Sequence, residues 1–158
     1  MKLTALAATA ALGWSVLGAG AALAGDLPAG GLTREEAAHW LTSHGHAANL
    51  HADASGIMIV SSSSGGVNWD LYFYDCTGGR CTAIQYAAGW TPRAGLDAAK
   101  LNLWNKDHRY IRAYFDPKEN VFGEYDVDVS PGGSWEQLDE SLRTWEIQIA
   151  KFKSYIGD

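Results

Sequence analysis

The chain has 158 residues, 47% of them apolar, with Lys and Arg numbering 12 against 18 Asp and Glu and a formal net charge of −6. That acidic balance argues against nucleic acid and against anionic lipid as partners, because phosphates reward clustered Lys and Arg. The length suffices for one hydrophobic core and is too short for two domains.

Lys2 precedes an Ala-rich apolar run from Leu3 to about Leu23, closing on Ala22-Leu23-Ala24-Gly25. Small residues stand there where signal peptidase needs them, so residues 1–24 are predicted to be a signal peptide and the mature chain to begin at Gly25. An uncleaved anchor is the alternative, but Ala and Gly gain little from lipid. No cysteine sits at the cut, which removes a lipoprotein, and no paired arginines mark the Tat route. The expected location is periplasmic or secreted, with no membrane span after cleavage. In that setting Cys76 and Cys81 read as a disulfide. Four residues, Thr77 to Arg80, separate them, unlike a redox Cys-x-x-Cys, and two thiols are too few for a structural zinc site without histidines.

The stretch 25–31 reads as a flexible leader before a domain over 32–158. Thr33-Arg34-Glu35-Glu36 is a capping box, predicting a helix that buries Ala37, Trp40 and Leu41 and ends at Gly45. Four strands follow, near Ala47–Asp53, Ile57–Ser63, Val67–Asp75 and Cys81–Gly89, punctuated by Ala54-Ser55-Gly56 and Ser64-Gly65-Gly66. Setting Cys76 opposite Cys81 places Phe73 opposite Ile84 and Leu71 opposite Tyr86. One face then carries Trp69, Leu71, Phe73, Ile84 and Tyr86, and the other Tyr72, Tyr74, Ala83, Gln85 and the cysteines. Asp97 should cap a second helix bearing Leu101 and Trp104. A hairpin of Tyr110–Asp116 with Phe122–Val129 is expected to pair Ala113 with Tyr125 and Arg112 with Asp126. Ser134-Trp135-Glu136-Gln137 is a second capping box, opening a last helix with an apolar stripe from Trp135 through Leu138, Leu142, Trp145, Ile149 and Phe152 to Ile156. That stripe either covers the sheet or pairs with a second copy, making a homodimer.

The order is helix, antiparallel strands, helix, two-stranded hairpin, long C-terminal helix, an α+β class. With Asn102-Leu103-Trp104-Asn105-Lys106, Arg112-Ala113-Tyr114-Phe115-Asp116, Tyr72-Phe73-Tyr74 and Glu124-Tyr125-Asp126-Val127 in that order, the chain resembles the YbjN family from about Leu32 to Ile156. The family consists of bacterial proteins described as sensory-transduction regulators. The resemblance implies a fold similar to type III secretion chaperones and no established activity or cofactor. This chain departs from many members in its export signal, and from the usual pattern in having His46 where an aromatic or aliphatic residue is more common.

Chemical constellations are sparse. His39, His44, His46, His51 and Asp53 cluster in sequence, but His39 and His44 do not share a helix face well, so no metal is expected. Ser61 to Ser64 lack a nucleophile elbow or an adjacent His. Glu124, Asp126 and Asp128 alternate on one strand and read as a solvated outer face with Arg112 neutralising one of them. Asn105, after a core Trp, is expected to bond backbone in a neighbouring strand. The candidate binding residues are Tyr72, Tyr74, Gln85 and Arg112, the tyrosines lying opposite the core side. No catalytic residue, metal or cofactor is assigned. The expected function is an exported, non-catalytic binding or chaperone-like regulatory module with a protein or peptide partner in the envelope. The alternative is a small-molecule sensor or hydrolase using the His-rich segment.

Overall fold

The structure, a computed structural model, describes residues 25–157. The predicted signal peptide lies outside the described residues. Three helices, α1 (Arg34–Ser43), α2 (Ala98–Asp107) and α3 (Trp135–Ile156), are interleaved with six strands: β1 (Asn49–Ala52), β2 (Met58–Ser64), β3 (Val67–Thr77), β4 (Arg80–Trp90), β5 (Arg112–Phe115) and β6 (Val121–Asp128). The strands form one antiparallel sheet in the order β1-β2-β3-β4-β6-β5. The α+β class and the order of elements are those the sequence predicts.

Local chemistry starts each helix where expected. Thr33 Oγ1 accepts from the Glu36 amide at 3.1 Å while the Glu36 carboxylate accepts from the Thr33 amide at 3.0 Å. Ser134 and Gln137 repeat the exchange at α3, and Asp97 accepts from the Lys100 amide at α2. Each cap satisfies amides the helix cannot. Gly45 follows α1 with φ +82.

All three helices pack on one face of the sheet. Trp40, Leu41, Trp104 and the α3 residues Leu142, Trp145 and Phe152 share a cluster with Trp69, Leu71, Ile84 and Tyr86. The α3 stripe is buried within this chain from Leu138 to Ile156, with Trp135 partly buried. Most of the stripe therefore packs on this chain's own sheet. No described helix is long and apolar enough to cross a membrane.

The β3–β4 register is the predicted one, with Cys76 opposite Cys81, Phe73 opposite Ile84 and Leu71 opposite Tyr86, and the two cysteines form a disulfide. Three expectations change. Cys81 is fully buried in the core cluster rather than on the outer face. The segment expected to be a flexible leader covers it. Leu32 and Cys81 exchange both backbone bonds at 3.0 and 2.8 Å, Leu27 donates to the Gly133 carbonyl at 2.8 Å, and Leu27 is buried. Gly31 makes this approach possible: at φ +90, a Cβ there would lie 2.0 Å from the Cys81 carbonyl oxygen.

The third change concerns the β5–β6 register, which is shifted by two residues. Ala113 faces Gly123 and Arg112 faces Glu124. The turn decides this. The Asp116 carboxylate accepts from the amides of Lys118 and Asn120, each at 2.8 Å, and the Asp116 amide donates to the Asn120 carbonyl at 2.9 Å. That Asx turn pairs Asp116 with Asn120, and the ladder follows from it. A two-residue shift keeps every side chain on its predicted face.

Candidate functional site: the open face of the sheet

No described helix packs on the face opposite the core. Its side chains fall in rows across the strands. The longest row runs Asn49, Ser61, Asp70, Ala87, Glu124, Arg112 over all six strands. Beside it lie Tyr72, Gln85 and Asp126, then Tyr74, Ala83 and Asp128. On the other side are Gly89, Phe122 and Tyr114. The structure thus brings together all four candidate residues, Tyr72, Tyr74, Gln85 and Arg112, on one surface.

Two depressions mark this face. The larger, of about 550 Å³, is lined by Ser61, Asp70, Tyr72, Ala87, Gly89 and Phe122 among others. It exists because β4 contributes almost no side chain there. At Gly89 a Cβ would stand 2.9 Å from the Phe122 ring, so that ring lies over the glycine. The smaller, of about 440 Å³, is lined by Tyr74, Gln85, Arg112, Asp126 and Asp128.

Between them runs a polar network. The Tyr74 hydroxyl donates to Gln85 Oε1 at 3.2 Å, and Gln85 Nε2 donates to Asp126 Oδ1 at 2.6 Å. Gln85 is buried, so both ends of its amide are fixed. Arg112 pairs tightly with Glu124, which also accepts from the Tyr114 hydroxyl at 2.6 Å. A longer approach of 3.9 Å links Arg112 to Asp126. Arg112 neutralises one carboxylate as expected, but that carboxylate is Glu124, which is buried rather than solvated. Ser61 donates to Asp70. Burial first, then the charges of Asp70 and Asp53, raises the Tyr72 phenol above its ordinary range. Burial followed by Glu124 and Asp126 does the same for Tyr74, against Arg112. Four carboxylates, Asp70, Glu124, Asp126 and Asp128, thus stand in the rows of this face beside the one guanidinium of Arg112.

Ser61, Asp70, Glu124 and Tyr114 were not singled out as site residues from sequence. Strand alternation places Asp70 beside Tyr72, whereas the burial of Glu124 depends on its neighbours. The histidines lie elsewhere. His44 Nε2 is 3.0 Å from Asp139 and His46 Nε2 is 3.6 Å from Glu146, which staples the end of α1 to α3. Neither lines the two depressions. Among the described residues no group of three or more His, Cys, Asp or Glu is placed to hold a metal.

Asn105 bonds backbone as expected. Its Nδ2 donates to the Ala113 carbonyl at 2.9 Å and its Oδ1 accepts from the Ala113 amide at 2.8 Å. The preceding Trp104 donates from its indole to the Ile111 carbonyl at 3.2 Å. The Trp-Asn dipeptide thus ties α2 to the outer edge of β5. The sequence model of YbjN, described as "Putative bacterial sensory transduction regulator", matches residues 25–158.

The chain belongs to the YbjN family. In this YbjN chain the match spans every described element, from the segment that covers Cys81 to the end of α3. No curated protein and no solved structure matches the chain.

Proposed function

We propose that this YbjN protein is an exported binding module acting on a protein partner in the envelope, and that its open sheet face receives an extended, basic segment of that partner. The observation that carries this reading is the groove over Ala87 and Gly89, flanked by Tyr72 and Phe122. Small residues on its floor let a peptide backbone approach, and the aromatic rings offer flat contact at low entropic cost. The charge of the face points to the occupant. Asp70, Glu124, Asp126 and Asp128 stand in its rows against Arg112, which is already committed to Glu124. Lys and Arg side chains complement such a surface and are steered to it. Holding an extended segment is what a chaperone-like module does, and the family's description as a regulator favours binding over catalysis. Export is supported by the leader pattern, by a family match that begins at Gly25, and by the Cys76–Cys81 disulfide, which suits an oxidising compartment.

A photo-crosslinking residue at Tyr72, with another at the exposed Ile147 on α3 as control, tests the face in cells. Adducts are expected from position 72 and not from 147. The reverse pattern would remove the open face from the function. With purified protein, a Lys- and Arg-rich peptide should bind about 2- to 30-fold more weakly to the double variant Asp126→Asn, Asp128→Asn, since each of the two rim charges is worth roughly 0.2–1 kcal/mol. Equal binding of neutral peptides would retain the face and discard its preference for basic segments.

A further inference from the structure

Cleavage after Ala24 frees an α-amino group at Gly25, and the folded domain holds a carboxylate where that group arrives. The Gly25 nitrogen donates to Glu136 Oε1 at 3.0 Å, and the Gly25 carbonyl accepts from the Trp135 amide at 3.0 Å. Two residues on, Leu27 is bonded to Gly133 and buried, and Leu32 is paired with Cys81. Residues 25–32 thus form a strap from the first turn of α3 to the β3–β4 hairpin. Glu136 lies in that first turn, where the helix amides favour a negative charge. The Gly25 N–H comes first among the groups that hold the Glu136 carboxyl below its ordinary range. No basic side chain is bonded to Glu136 among the described residues. Asp26 is next in the chain, and Glu140, one turn along, is tied to Arg143.

We propose that maturation itself closes a latch: the α-ammonium of Gly25, created by leader removal, forms an ion pair with Glu136 that fastens the strap. Signal peptidase hydrolyses the Ala24–Gly25 amide with one water. The C–N bond breaks, the carboxylate stays on Ala24 of the leader, and the amine remains on Gly25, protonated near neutral pH. A neutral donor to Glu136 becomes a charged one without moving, and a charge-assisted bond is the stronger. The position of the cut matters. A chain starting two residues earlier keeps a neutral Gly25 amide and carries its charge about 7 Å of chain away, at about 3.5 Å per residue. This inference rests on the reading that the chain is exported and cleaved, and it is independent of what the open face binds.

The test uses protein purified from the periplasm after processing, its start established by intact mass. Selective acetylation of the α-amine near pH 7 keeps an N–H at Gly25 and removes only the charge. In the wild type, acetylation should lower Tm by about 1–3 °C and speed amide exchange at Leu27 and Leu32 about two- to fivefold, as expected for one exposed ion pair. In Glu136→Gln it should change neither. If acetylation has no effect on a wild-type chain beginning at Gly25, or an equal effect in Glu136→Gln, the latch is wrong and export stands. A mass that begins at Met1 would overturn both.

Discussion

Glu124 is held in the middle of the open face with 9% of its side chain exposed, and it depends on two donors, Arg112 and Tyr114. A carboxylate that loses its partners while buried keeps the cost of desolvation. Arg112→Ala should therefore destabilise the fold by about 1–2 kcal/mol, the lower part of the usual range because 60% of the arginine side chain is in water. Adding Glu124→Gln should recover most of that loss, because the orphaned charge is gone. Urea unfolding of the two single variants and the double variant measures the coupling. The same residues show what a linear reading reaches. Alternation put Arg112 and the tyrosines on the outer face. It did not reveal that Glu124 is buried beside Arg112 and Tyr114, because burial on a bare sheet face depends on side chains that reach across from a neighbouring strand.

The outer edge of β5 is closed by a side chain instead of a strand. Asn105 occupies both backbone groups of Ala113, so this edge offers no free ladder at its centre. Asn105→Ala should cost about 1–3 kcal/mol, the usual range for orphaning backbone groups, and should promote self-association through the exposed edge. Denaturant unfolding and sedimentation velocity check the two effects, and a variant that sediments like the wild type would show that the edge is blunted by other means. Element boundaries, caps and the β3–β4 register were legible because each follows from neighbours in sequence: a capping box, a glycine, a cysteine pair. The β5–β6 register was not read correctly from cross-strand charge alone. The Asp116–Asn120 turn sets it, and turn geometry outranks one favourable ion pair on the ladder.

At the scale of the whole molecule, two carboxylates tie distant segments together and a third holds a turn. Glu36 joins α1 to the β3–β4 hairpin through Arg80 at 2.7 Å, Asp116 organises the β5–β6 turn, and Glu136 holds Gly25. Burial raises the Glu36 carboxyl, but the hydrogen bond from Arg80 and that from the Thr33 amide outweigh it, leaving it below 4.5. Bonds from Asn120 lower Asp116 from 3.8, and the Gly25 amide leads in lowering Glu136 from 4.5. A carboxyl depressed in the folded state contributes stability that is complete above its unfolded value and is lost as pH falls through the folded one. Tm should thus be flat near neutrality and begin to fall as pH drops below about 4.5. In Glu36→Gln the fall should be shallower, which thermal scans between pH 7 and 2 would show.

The sequence by itself determined the α+β class, the caps of all three helices, the pairing of Cys76 with Cys81, the core face of the sheet, the family and the outward side of Tyr72, Tyr74, Gln85 and Arg112. These follow from periodicity, short-range chemistry and ordered motifs, which are local properties of the chain. Tertiary structure decided that residues 25–32 form a strap over Cys81, that most of the α3 stripe packs on its own sheet, and that Glu124 is buried on the outer face. Each of these depends on contacts between residues far apart in sequence: Gly25 with Glu136, Leu32 with Cys81, Tyr86 with Ser141. Such contacts form only when several elements have packed, so no window of the sequence contains them.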